Sequence, residues 1–215
     1  MKKSKILLHE QLNRIVEISG ENPISGKHLV VVDIQPEYLS GFKDILYKFI
    51  NFLNTNYESL GALTFLYNGY DTLGMINEND YKMWWEENGL DMEVIDGARF
   101  YDKGYAFFRY CIDSNIDEES IVNMVKFMVE KNVNDSRELD EEFWDEFIGR
   151  YGSNDVRELL EFAGDCINLP DLMDEIGGYR GIVICGGGVN ECLKEVEIAL
   201  QALDKPYNVL TQYTY

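Results

Sequence analysis

The residue of this chain best placed to do chemistry is a cysteine. Cys192 follows a short apolar run, Gly181-Ile182-Val183-Ile184-Cys185, and three glycines, Gly186, Gly187 and Gly188. After it, Leu193, Val196, Leu200 and Leu203 recur at helical spacing. The pattern predicts a buried strand, a glycine turn, and a helix with Asn190 as its N-cap and Cys192 in its first turn. Backbone N–H groups at a helix start lack intrahelical acceptors, and their dipoles favour a thiolate over a thiol. Cys192 is therefore a candidate sulfur nucleophile at the carboxyl edge of a sheet. The competing reading is a buried structural thiol, because free cysteine is among the most buried residue types. A phosphate-cradling loop fits less well, since the place of a third glycine is taken by Glu191.

A second chemical group is Asp33. It closes Leu29-Val30-Val31-Val32, a β-branched run too apolar for an exposed edge strand, and Gln35 and Pro36 follow it. A carboxylate in that place either caps a turn or belongs to a site. Cys185 lies inside a predicted strand and reads as core, and Cys111 and Cys166 read as structural. The four cysteines show no CxxC pairing and no zinc spacing, and the two histidines, His9 and His28, cannot make a histidine-rich metal site.

The elements that must position these groups alternate. Residues 5–18 read as a helix or an extended arm, and 19–27 as a polar connection. Strands are expected at Leu29–Ile34, Leu60–Tyr67 and near Arg99–Phe108, with a last one at Pro206–Tyr213. Helices are expected at Phe42–Leu53 and Asn79–Glu87. Of the adjacent Trp84 and Trp85, one should pack inward and the other line a pocket or an interface. From about residue 113 to 175 the chain turns acidic and helical. Ile121, Val125 and Met128 form one apolar face there; Phe143, Trp144, Phe147 and Ile148 form a second; Val156, Leu159, Leu160 and Ala163 form a third. Its charge runs read as solvated helix faces. Strands alternating with helices imply an α/β fold, a three-layer sandwich around a mostly parallel sheet, in one domain over 1–215.

Length and charge narrow the classes. A chain of 215 residues can bury a sizeable core, and 46% hydrophobic residues argue against disorder. The formal net charge of −20 disfavours nucleic acid and anionic membrane surfaces as partners. No apolar run approaches the roughly 18 residues of a membrane span. The basic start, MKKSKILL, is followed by no signal-peptide cleavage site. A cytoplasmic protein with reduced thiols is the expectation.

Asp33, Lys103 and Cys192, in this order and context, resemble the isochorismatase-like cysteine hydrolases. The apolar strand ending in Asp-x-Gln is VVVDIQPEYL, with Asp33 and Gln35. The lysine before a small-aromatic pair is in DKGYAFF, with Lys103, Ala106 and Phe107. The glycine turn to a cysteine and helix is GGGVNECLKEVEIALQALDKPYNVL. The likeness covers about residues 28–110 and 180–213.

It implies an Asp33–Lys103–Cys192 triad cleaving a small amide, carbamoyl or related C–N bond through a covalent cysteine intermediate. Asp33 would be the general base, and Lys103 would support the carboxylate and the thiolate. Backbone N–H groups around Gly188, Val189, Asn190 and Cys192 would form an oxyanion hole, with a cis peptide between Gly188 and Asn190. By their place in the sequence, Asn68 and Asp71, after the second strand, are pocket candidates along with Gln35, and Tyr105 and Phe107 fit a pocket wall or core packing equally. The resemblance implies a homo-oligomer, a small-molecule substrate and no cofactor.

Departures from the family are plain in the residues. NGYDTLG, after the second strand, carries none of the histidine zinc ligands of nicotinamidases, so a metal-independent enzyme is expected. Glu191 and Glu195 flank the cysteine, and like charge disfavours a thiolate unless both side chains point outward. The acidic helical stretch could form a lid or a subunit interface. The family's last helix and strand are expected to be absent, with residues 5–18 covering that edge. A second expectation, of a different class, is a catalytically silent acidic binding protein on the same fold, a charge mimic or a partner for a basic protein.

Overall fold

A computed structural model gives the fold and describes residues 24–36, 43–71, 74–103, 112–133, 139–152, 155–158 and 170–215. The expected helix at 5–18 lies outside them. The first strand, β1 (His28–Val32), leads to helix α1 (Lys43–Asn56) and then β2 (Ala62–Tyr67). A small antiparallel pair, β3 (Tyr70–Asp71) and β4 (Gly74–Met75), precedes α2 (Glu78–Glu87), α3 (Met92–Gly97) and β5 (Arg99–Asp102). The acidic stretch supplies α4 (Glu118–Lys131), α5 (Glu141–Tyr151) and α6 (Pro170–Gly177). Then come β6 (Ile182–Gly186), α7 (Cys192–Ala202) and β7 (Tyr207–Val209).

Five strands form one parallel sheet in the order β5-β2-β1-β6-β7. From β1 the chain moves outward through β2 to β5, then returns to the other side of β1 for β6 and β7. The crevice between the carboxyl ends of β1 and β6 is thus a topological switch point, where open α/β sheets place their ligands.

The pleat divides the core in two. Val30 and Val32 of β1, with Ile182 and Ile184 of β6, face α4, α5, α6 and α7. Leu29 and Val31, with Val183 and Cys185, face α1, α2 and α3. Both faces are covered, which is why β1 and β6 read as unbroken apolar runs. The result is the expected α/β sandwich. Trp85 is fully buried on the second face, whereas Trp84 is half-buried and stacks on Tyr81 with ring centroids 6.0 Å apart.

The acidic stretch is built into the protein instead of being added to it. Ile121, Val125, Met128, Phe143, Trp144 and Phe147 are buried in the same core as β1 and α7. Its acidic residues Glu118, Glu119, Glu141 and Glu142 sit in the first turns of α4 and α5, where carboxylates complement the helix dipole. Asp117 and Asp140 cap the two helices by accepting backbone N–H bonds. Among the described residues no helix is long and apolar enough to cross a membrane.

Candidate active site

The three residues of the sequence motif converge at the switch point. Asp33 is the first residue beyond β1, Lys103 the first beyond β5, and Cys192 the first of α7. Lys103 is anchored by its N–H to the Tyr67 carbonyl, and its side chain crosses the end of β2 to reach Asp33. The Lys103 Nζ to Asp33 Oδ2 distance is 2.9 Å, and both side chains are 1% exposed.

Asp33 adopts a left-handed backbone conformation, φ 43°, which few residues other than glycine, asparagine and aspartate enter readily. Neighbouring groups brace its turn. Its N–H donates to Leu66 O at 2.8 Å, and its carbonyl accepts from the Tyr215 hydroxyl at 3.2 Å. The next carbonyl, of Ile34, accepts from the buried Tyr81 hydroxyl at 2.7 Å. Strained backbone held so firmly is a mark of functional sites.

Gln35 is fully buried, and its amide clamps the backbone of Asn68, accepting from its N–H at 2.6 Å and donating to its carbonyl at 3.3 Å. Gln35 and Asn68, expected as pocket walls, thus tie the ends of β1 and β2 together. Tyr105 and Phe107 lie outside the described residues.

The glycine turn carries Cys192 back over β1. Gly186 and Gly187 have φ of 84° and 52°, and a Cβ on Gly186 would lie 2.3 Å from the Val32 carbonyl oxygen. The expected cis peptide is absent: among the described residues every peptide bond is trans. Left-handed glycines reverse the chain, so the turn between Gly188 and Asn190 needs no cis bond. Nor does Asn190 cap the helix. It is exposed, and Glu191 occupies the cap position without a side-chain hydrogen bond.

Of the donors expected to form an oxyanion hole, Val189 N–H is taken by the Tyr215 carbonyl at 2.9 Å. The neighbouring Glu191 N–H is taken by Gly188 O at 2.9 Å. Tyr215 also donates its own N–H to Gly187, so one residue ties the glycine turn to the Asp33 turn.

Glu195, read in the sequence only as a charge flanking the cysteine, is a further member of the cluster. It lies one helical turn after Cys192, is 1% exposed, and accepts a hydrogen bond from Lys103 Nζ at 2.7 Å. Glu191, by contrast, is exposed. The Lys103 ammonium is therefore shared by two buried carboxylates.

Burial alone would lower the Lys103 pKa, but Asp33 and Glu195 outweigh it and hold the group well above the usual lysine range. Burial pushes the Cys192 thiol up. Asp33 pushes it further, Lys103 opposes, and Glu195 adds to the rise. The helix start was expected to favour a thiolate; at 7% exposure, beside two carboxylates and one ammonium, the thiol is favoured instead. Cys185, fully buried inside β6, is raised by burial alone.

Two hollows lie nearby or opposite. One of about 450 Å³ is lined by four isoleucines, Ile112, Ile116, Ile121 and Ile198, by the amides Asn115 and Asn190, and by the charged Glu118 and Lys194. Asn190 brings it to within two residues of Cys192. A larger cleft, about 800 Å³, opens at the amino edge of the sheet beside Lys27 and Gly181. It precedes β1 and β6, at the edge of the sheet opposite Asp33, and Lys194, Glu197 and Gln201 of α7 also line it. Among the described residues no group of three or more His, Cys, Asp or Glu is arranged to hold a metal ion.

Comparison of the chain with protein-family models, with curated proteins and with solved structures finds no match in any of the three.

Proposed function

We propose that this chain is a cysteine hydrolase of small amide, carbamoyl or related C–N substrates, of the isochorismatase-like kind that its motifs resemble. One observation carries the reading: Asp33, Lys103 and Cys192, distant in sequence, meet at the sheet's switch point, with Lys103 on Asp33 at 2.9 Å. In the proposed reaction Asp33 takes the Cys192 proton as the sulfur attacks the substrate carbonyl carbon, forming a C–S bond. The C–N bond then breaks, and the amine leaves with the proton held by Asp33. Asp33 next draws a proton from water, whose oxygen attacks the thioester. The C–S bond breaks, the acid is released and the thiol is restored. Lys103, 2.9 Å from Asp33, pairs with its carboxylate through the first step.

The test is ammonia or amine release from primary carboxamides and N-carbamoyl amines by the full chain. Wild type is compared with Cys192→Ser and Asp33→Asn, and intact mass detects acylated Cys192. Turnover lost in both variants is expected; release no faster than from Cys192→Ser across both substrate classes refutes the reading.

A second reading has its own support. Glu195 claims part of Lys103, and Cys192 is nearly covered, an arrangement that suits a silent member of the fold acting as an acidic binding protein. That reading predicts no turnover with an intact, folded chain.

A further inference from the structure

The proposed chemistry makes no use of the cleft at the amino edge of the sheet. Three adjacent parallel strands begin there, β1, β6 and β7, and their register sets His28 opposite Ile182 and Ile182 opposite Tyr207. A basic residue stands one or two positions ahead of each strand: Lys27 before β1, Arg180 before β6 and Lys205 before β7. Neighbouring strands lie about 4.8 Å apart, so the three entries fall within about 10 Å. The side chains converge as well. Arg180 Nη1 donates to the Tyr179 carbonyl at 3.1 Å, and Lys205 Nζ donates to the same carbonyl at 3.3 Å and also to Gly177 O. Two cations thus meet on one neutral oxygen. A Cβ on Gly181 would lie 3.2 Å from Lys27 Cδ and 3.9 Å from its Nζ, so the Lys27 side chain lies against the residue that follows Arg180. Desolvation, and then repulsion from Arg180, hold the Lys205 pKa below its ordinary value. Cations gathered in this way are relieved by an anion that bridges them.

The rest of the cleft is of another kind. Asp204 pairs with Lys126 at 2.7 Å, and Glu118 and Glu197 pair with Lys194 at 3.2 and 2.8 Å. Gln201 and Tyr207 add an amide and a phenol, and the volume of about 800 Å³ is that of a small-molecule site. A chain of net charge −20 repels anions at long range, but physiological salt screens that field over about 8 Å and leaves the decision to charges in contact.

We propose that this cleft binds a phosphate monoester with a hydroxyl-bearing organic body, its phosphoryl group held by Lys27, Arg180 and Lys205. The planar fork of an arginine and two ammonium groups match the oxygens of a phosphoryl group. The wall of carboxylates and the Gln201 amide accepts hydrogen bonds from hydroxyls and disfavours a second phosphate. The site lies at the edge of the sheet opposite Asp33 and does not depend on the reading given to Cys192.

The experiment is calorimetric titration of the full chain with glucose 6-phosphate, inorganic phosphate and glucose at physiological salt and neutral pH. Glucose 6-phosphate should bind most tightly, phosphate more weakly, and glucose without measurable heat. Lys27→Gln and Arg180→Gln change exposed side chains and should fold; each should weaken glucose 6-phosphate at least about tenfold. Lys205→Gln also removes bonds to Gly177 and Tyr179, so the other two variants carry the test. The control is Arg150→Gln, which removes an equal charge from α5, where Arg150 pairs with Glu130 at 2.8 Å; affinity should stay within about twofold. No binding of either phosphate by the wild type overturns the proposal. So does binding that Lys27→Gln or Arg180→Gln leaves intact, or an equal loss in Arg150→Gln, which would mark a general effect of charge. Inorganic phosphate bound as tightly as glucose 6-phosphate overturns the part given to the hydroxyl-bearing body.

Discussion

Lys103→Met tests whether the cluster is as closed to water as its geometry implies. The substitution keeps a long apolar stem and removes the ammonium that touches Asp33 at 2.9 Å and Glu195 at 2.7 Å. All three side chains are 1% exposed, so the two carboxylates left behind cannot recover their lost partner from solvent. Breaking a buried ion pair from one side costs about 3–5 kcal/mol. With urea m-values of about 2–3 kcal/mol per molar for a chain of this size, the unfolding midpoint should fall by about 1.5 M.

The control is Lys126→Met. Its partner Asp204 is also 2.7 Å away, but the two side chains are 35% and 83% exposed, and such a pair contributes at most about 1 kcal/mol. Equal distances with unequal burial make the comparison decisive. Replacing Asp33→Asn and Glu195→Gln together with Lys103→Met removes the charges that had faced the ammonium and should recover most of the loss. If Lys103→Met stays within about 1 kcal/mol of wild type, water reaches the cluster and the argument from burial is wrong.

Two other outcomes follow from single residues. His28 opens β1, its Nε2 lies 2.9 Å from Thr64 Oγ1, and burial pulls its pKa from 6.5 down to about 4. Between those values the unfolded chain binds the proton and the folded chain does not, so stability is complete above about pH 6.5 and falls as pH drops toward 4. The full shift would be worth about 3 kcal/mol, and partial exposure to solvent reduces that to about 1–2. His28→Gln should flatten this part of the curve in urea unfolding at stepped pH, and an unchanged slope would refute the assignment. Gly186→Ala places a Cβ against the Val32 carbonyl of the central strand at a left-handed φ, with neither side able to yield. A loss of at least about 3 kcal/mol, read by thermal melting, is expected; a wild-type melting temperature would show that the turn can rebuild.

How far the sequence could be read depended on whether a signal was local. The apolar runs at Val30–Val32 and Ile182–Cys185 marked the central strands because a parallel strand covered on both faces has no polar alternation to confuse it. Helix periods in Ile121–Met128 and Leu193–Leu200 were equally direct. What the sequence hid were decisions made across the fold. Gln35 looked like a pocket wall, yet its amide is committed to the backbone of Asn68, 33 residues away. Tyr215 gave no signal at all, although it ties the Asp33 turn to the glycine turn over 182 positions. Glu195 was visible as a charge and shares a helix face with Cys192. Its burial depends on Lys103, 92 positions earlier, and no helical pattern could report that. The acidic stretch, by contrast, was legible, because the helical spacing of Ile121, Val125 and Met128 and of Phe143, Trp144 and Phe147 is local and marked the faces that are buried in the core.

The surroundings of the sulfur also limit the ways it can react. Burial pushes the Cys192 thiol up, Asp33 and Glu195 push it further, and Lys103 opposes them. A resting thiolate, the usual device of a cysteine at a helix start, is therefore the costly state here. In the proposed reaction the proton passes from sulfur to Asp33 as the sulfur attacks, so no thiolate has to stand in the buried site beforehand. The surroundings that oppose spontaneous ionisation of the thiol thus leave attack assisted by Asp33 open.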